Sequence, residues 1–126
     1  MVADASAAVS ALLNAGAARQ ALSSQQVHVP HLADTEIASS LRRLVARGRL
    51  TVDDGWGALN AWRRLATVRH SSSGLMERVW QLRENASAYD ATYVALAEGL
   101  GCALVTADAR LSRIAGLRCP VTVVPR

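Results

Sequence analysis

The stretch from Ser87 to Asp108, SAYDATYVALAEGLGCALVTAD, decides the fold. Ser87 can cap a helix with its hydroxyl, and Asp90, three residues on, suits the positive end of a helix dipole. The spacing predicts a helix over 87–100 that stops at Gly101. Ala103-Leu104-Val105-Thr106 then forms a short, continuous apolar run of the kind found in parallel strands covered on both faces. Asp108, just beyond, reads as the cap of one more short helix running through Ile114. Val121 to Val124 reads as the last strand.

The same alternation holds upstream. Val2-Ala3 is a short first strand, and Ser6 to Asn14 a helix with Val9, Leu12 and Leu13 at i, i+3, i+4. Gly16 breaks it. A helical piece over Ala17 to Leu22 leads to the strand Val27-His28-Val29, closed by Pro30. The helix from Leu32 to Arg47 places Ile37, Leu41, Leu44 and Val45 on one face and ends at Gly48. Thr51-Val52-Asp53-Asp54 resembles a capping box, and the helix it opens carries Trp56, Leu59, Trp62 and Leu65 as one apolar stripe before the strand Thr67-Val68-Arg69. Leu75, Val79 and Leu82 mark a further helix. Five strands separated by helices predict a three-layer α/β fold with a mostly parallel five-stranded sheet flanked by helices.

The 126 residues allow one domain, spanning 1–126. A hydrophobic share of 51% supplies a core without staples and excludes disorder. Uncharged stretches such as Ala5 to Ala18 are too short for the ~20 apolar residues a bilayer needs. The first cation is Arg19, so no basic-then-apolar secretory signal opens the chain, which reads as cytoplasmic and without a membrane span. Cys102 and Cys119 make no metal knuckle, and His28, His31 and His70 make no zinc spacing. All 14 basic residues are arginine. The lack of lysine removes P-loop ATPase, kinase, Schiff-base and pyridoxal chemistry.

In open α/β sheets the active crevice lies beyond the carboxyl ends of the strands. Asp4 directly follows the first strand and Asp108 stands two residues past the strand ending at Thr106. Glu36 and Asp90 lie near the starts of helices that feed from the sheet. Singly, each acid has an ordinary role: Asp4 and Asp108 as helix caps, Asp90 as a dipole partner, Glu36 as a solvated acid. Asp34 reads as the N-cap of its own helix. Four acids at one edge repel unless a cation lies between them, and an oxygen-rich set of this kind suits Mg²⁺ or Mn²⁺.

Val2-Ala3-Asp4-Ala5-Ser6, Asp34 to Arg43, Ser87 to Ala97 and Leu104 to Leu111 together resemble the motifs of PIN-domain ribonucleases, specifically VapC-type toxins, in order and over essentially the whole chain. The resemblance implies a PIN-like fold and a metal-dependent endoribonuclease, with Asp4, Glu36, Asp90 and Asp108 as catalytic acids holding Mg²⁺ or Mn²⁺. Ser6, Asn85 and Thr106 would support that set from behind, Thr106 reading equally well as a strand-end threonine. Tyr89 and Tyr93 match the motif and read as helix packing. Hydrolysis by metal-activated water would leave 5′-phosphate and 3′-hydroxyl ends. The resemblance also implies a homodimer, to which the Trp56 and Trp62 stripe would contribute. It further implies a VapB-like antitoxin lying along an apolar groove beside the helix over 32–47, with an arginine or lysine set against the four acids. Net charge is +4, and Arg42, Arg43, Arg47 and Arg49, with Arg63, Arg64 and Arg69, form clusters suited to an RNA polyanion. Two rival readings are a catalytically silent PIN-fold module that binds RNA or antitoxin, and a phosphotransfer domain, which would want a second acid two residues from its aspartate nucleophile.

Overall fold

Val2 and Ala3 are completely buried and form β1 (Val2–Ala3), the central strand of a five-stranded sheet in the computed structural model, which describes residues 1–126. β2 (His28–Pro30), β3 (Val68–His70), β4 (Leu104–Thr106) and β5 (Val121–Val123) complete the sheet in the order β3-β2-β1-β4-β5. Every pairing is parallel, so the mostly parallel sheet expected from sequence is parallel throughout. Strands two or three residues long make few ladder bonds, and the sheet therefore depends on apolar cover from both sides.

That cover comes from α1 (Ala5–Leu13), α2 (Ala17–Ser23), α3 (Leu32–Ala46), α4 (Val52–Arg64), α5 (Met76–Gln81) and α6 (Ala88–Leu100). α6 contacts β1, β2 and β4 and is buried without a break from Ala91 to Ala97. Ala91, Ala95 and Ala97 let its backbone approach the sheet closely, while Tyr93, Val94 and Leu96 fill the space between. The helix ends at Gly101 with φ of 65°, a left-handed conformation that favours glycine. α1 packs against α2, α3 and α4, giving the three-layer α/β arrangement. No helix is long and apolar enough to cross a membrane.

Three sequence expectations change. Asp34 is not an N-cap: α3 begins after His31, which makes no side-chain cap bond. Asp34 instead accepts the Trp62 indole N–H at 2.7 Å and a two-pronged Arg69 guanidinium at 2.9 and 3.0 Å. Charge-assisted paired bonds outweigh a single cap bond, and they tie α3 to α4 and β3. The α4 stripe divides, with Trp62 1% exposed but Trp56 56% and Leu65 49% exposed. Trp56 lies under the Arg63 guanidinium at 5.6 Å rather than in the core. The helix expected around Leu75, Val79 and Leu82 is split into a 3-10 turn over Ser73–Leu75 and the six-residue α5.

The division of the stripe is testable by urea unfolding. Trp62→Ala should cost about 3–5 kcal/mol, the range for deleting a large buried aromatic. Trp56→Ala should change stability by about 0.5 kcal/mol, and equal costs at the two positions would refute the assignment.

Candidate active site

Parallel strands bring their carboxyl ends to one edge, and β1 and β4 lie side by side there. Asp4 leaves β1 and caps α1 by accepting the Ala7 N–H at 2.9 Å. The same oxygen accepts the Ser6 hydroxyl at 2.7 Å, and the other accepts the Thr106 hydroxyl at 2.5 Å. Ser6 in turn accepts the Ala107 N–H at 2.9 Å, and Thr106 accepts the Asp108 N–H at 3.0 Å. Two short elements are thus laced together across their ends. Asp4 is only 5% exposed, and burial holds its carboxyl above the usual range despite the three donors, with the charge of Asp108 adding to the rise.

Glu36 and Asp90 complete the acidic side of the crevice. Glu36, on α3, accepts the buried Tyr93 hydroxyl at 2.6 Å. Burial lifts its pKa, and the charges of Asp90 and Asp4 lift it further. Asp90 stands in the first turn of α6, where its backbone N–H donates to Ser87 at 3.1 Å. Its carboxyl is raised by burial and then by Asp4 and Asp108. Asp108 differs, because it caps the 3-10 helix Ala109–Arg113 and accepts the Arg110 guanidinium at 2.6 and 3.1 Å. Arg110 holds the Asp108 carboxyl below the ordinary value.

The four acids therefore share one electrostatic neighbourhood, but no three converge on a single point at ligating distance. Arg110 draws Asp108 aside and Tyr93 fixes Glu36. Asp4, Glu36 and Asp90, each penalised by burial and by at least one neighbouring acid, supply oxygen donors of the kind a hard divalent cation takes. Ser6 and Thr106 touch Asp4 directly. Asn85 bonds none of the acids and donates to the Ala115 carbonyl at 3.5 Å, bordering a cavity of ≈ 360 Å³ beside Asp90 and Arg110. Of the expected arginine clusters, Arg42, Arg43, Arg47 and Arg49 are exposed, whereas Arg69 is occupied by Asp34 and Arg63 by Trp56.

Sequence reasoning missed two contributors. Tyr93 has a helix-packing pattern, yet it stands three residues past Asp90 and so on the same face of α6, a spacing that could have flagged it. Arg110 stands two residues past Asp108 at the start of a short helix, close enough for its guanidinium to fold back on the cap. Beside α3 the surface differs on its two sides: towards α1 it is lined by Arg43 and Arg47, towards α4 by Ala38, Trp56, Leu59 and Trp62, and a further, mainly apolar cavity of ≈ 460 Å³ lies among α1, α2 and α4.

A family model described as PIN domain matches residues 1–117. Ribonuclease VapC9 of Mycobacterium tuberculosis is 61% identical over 126 residues, an alignment covering 100% of this chain and 99% of the relative. Ribonuclease VapC1 of the same organism is 40% identical over 128 residues, covering 98% and 96% of the two chains. Among solved structures, PAE2754 from Pyrobaculum aerophilum matches with a TM-score of 0.74 at 22% identity, over 95% of this chain and 81% of that one. VapC20 of Mycobacterium tuberculosis, a sarcin-ricin loop cleaving toxin, matches with a TM-score of 0.67 at 21% identity, over 92% and 95%.

The raised carboxyls predict a pH effect in protein kept free of divalent ions. A group whose folded pKa lies above its unfolded value stabilises the fold at low pH, and that contribution is lost as pH rises through the folded value. Glu36→Gln keeps an acceptor for Tyr93 and removes the charge. Its Tm in EDTA at pH about 7 should exceed that of the wild type, and its stability should decline less between about pH 4 and pH 7. A lower Tm with an unchanged pH profile would refute the charge repulsion.

Proposed function

The chain belongs to the PIN-domain family and to its VapC ribonucleases, and from that premise we propose that it is the toxin of a toxin–antitoxin pair. In this reading it hydrolyses RNA phosphodiester bonds with Mg²⁺ or Mn²⁺ held by Asp4, Glu36, Asp90 and Asp108. The observation that carries the reading is the acidic crevice at the carboxyl edge, where Asp4 and Asp90 raise the charging cost of Glu36, and Asp4 and Asp108 that of Asp90. Such a set binds a divalent ion with relief of its own repulsion. When bound, the ion supplies a water of lowered pKa and offsets charge on the leaving oxygen.

The chain's own residues have separable tasks. Ser6, Thr106 and the Ala7 N–H hold the Asp4 carboxylate in one orientation, so that a ligand there needs no reorganisation. Tyr93 does the same for Glu36 by donating to one oxygen and leaving the other open. Asp108 is the adjustable member, since its guanidinium partner is an exposed side chain on its own short helix. Asp90 lies between these groups in charge space, coupled to both Asp4 and Asp108.

Replacing Asp90 with Asn retains size and removes one charge. RNA cleavage should fall by at least about 100-fold, and the thermal stabilisation given by Mn²⁺ should disappear with it. Full activity of Asp90→Asn in EDTA would overturn the metal mechanism and favour the binding-module reading.

A VapB-like antitoxin is the expected partner, with a cationic side chain directed at the acids. The Arg110–Asp108 pair supports this, because one of the four acids already has a guanidinium at 2.6 Å. A homodimer is the expected assembly, and exposed Trp56 and Trp80 are candidates for its surface. Co-expression with the neighbouring reading frame, followed by light scattering, checks both points. The expected product is a stable complex of two toxin chains with antitoxin that does not cut RNA; a monomer without partner, or a complex as active as free toxin, would refute it.

A further inference from the structure

Three arginines, Arg43, Arg47 and Arg126, line a groove of ≈ 330 Å³ between α1 and α3. No Asp or Glu side chain lines it. The ion pairs of the structure employ Arg69, Arg78 and Arg110, so these three have no carboxylate partner. All three are exposed, so an anion seated in the groove would meet several cationic side chains at once. Arg43 is directed along α3 by its bonds to Ser39 and Ser40, both 3.1 Å. Arg126 is anchored by its bond to the Ala107 carbonyl at 3.3 Å, one residue from Asp108. Of the serine hydroxyls lining the groove, Ser6 donates to Asp4 and Ser10 to the Pro125 carbonyl at 3.4 Å, while Ser40 accepts from Arg43 and keeps its own proton to give.

We propose that this groove is a phosphate subsite, seating a backbone phosphate of the RNA strand next to the one cut at the acids. The inference rests on the ribonuclease reading. Its strongest support is continuity: Ser6 lines the groove and donates to Asp4, so the two sites share a wall. Arg43 and Arg126 are also near enough for their charges to act on Glu36 and Asp108. A polyanion laid over a carboxylate crevice is repelled on either side of the bound ion, and a cationic groove beside it offsets that repulsion. An acidic protein segment is the less favoured occupant. Only three of the ten lining residues are hydrophobic, too few for the apolar anchors that a peptide interface depends on.

The test uses the full chain with Asp90→Asn, so that RNA is bound and not cut, and a fluorescein-labelled single-stranded RNA of about ten nucleotides as the probe. Arg43→Ala/Arg47→Ala should lower affinity several-fold and reduce the slope of log affinity against log salt by about 0.7 per arginine removed. The Lys/Lys double variant should restore most of the slope, because a point charge suffices for counterion release. In the active protein the Ala/Ala variant should raise KM more than it lowers kcat. Arg83→Ala, a surface control stacked on Trp80, should bind within about twofold of the parent. Unchanged affinity and slope in a folded Ala/Ala variant would overturn the subsite while leaving cleavage and its loss in Asp90→Asn intact. Loss of antitoxin capture with unchanged RNA binding would overturn it in favour of an acidic protein partner. Failure of the wild type to bind or cut RNA would instead defeat the ribonuclease reading on which the subsite stands.

Discussion

A single buried carboxylate organises this molecule. Asp4 stands where a two-residue strand ends and a nine-residue helix begins, and it is 5% exposed. Burying that charge is unfavourable, and three donors from two different elements offset the cost. The donors are not interchangeable. One caps α1, one comes from the helix's first turn, and one reaches across from the last residue of β4. The short central strand cannot be held by its ladder alone, and the Asp4 to Thr106 bond fixes the β1–β4 junction where that ladder runs out.

From this junction the like charges of the crevice follow. The parallel sheet brings Asp108 to the same edge, and α3 and α6 add Glu36 and Asp90 on either side. Each acid is met by a different kind of donor: hydroxyls and an amide at Asp4, a phenol at Glu36, a guanidinium at Asp108. The phenol and the hydroxyls orient their carboxylates without bringing an opposite charge, whereas the guanidinium neutralises its partner. Arg110 is thus in direct competition with any cation presented to Asp108. Because Arg110 is exposed and its pair is solvent-screened, the competition is not one-sided.

Features set by local chemistry were legible in the sequence. Gly101 stops α6, Ser87 and Thr51 cap their helices, and the apolar run into Thr106 forms a buried parallel strand, because each depends on residues a few positions apart. The four site acids were placed at one edge by the same strand-end logic. Features set by tertiary partners were not legible. Asp34 looked like a cap because it opens a helical pattern, yet Trp62 and Arg69, 28 and 35 residues away, claim it. The Trp56 and Trp62 spacing indicates a shared helix face but not how wide a part of that face the core reaches. Tyr93 shares a face of α6 with Asp90, which points it toward the crevice, but that its hydroxyl meets Glu36 depends on where α3 lies.

The two charged sites share one helix. α3 and its C-terminal cap carry Glu36, Ser40, Arg43 and Arg47 at intervals of four, three and four residues, one stripe along a single helix. The acidic end of that stripe faces Asp4 through the crevice, and the basic end faces α1 through the groove. α1 likewise starts at Asp4 and carries Ser6 and Ser10 into the groove. A displacement of α3 against α1 therefore alters the acids and the arginines together. The Asp34 pair resists such a displacement, since it ties the first turn of α3 to α4 and β3. The groove and the Glu36 carboxylate therefore rest on one helix, held at its first turn by the Asp34 pair.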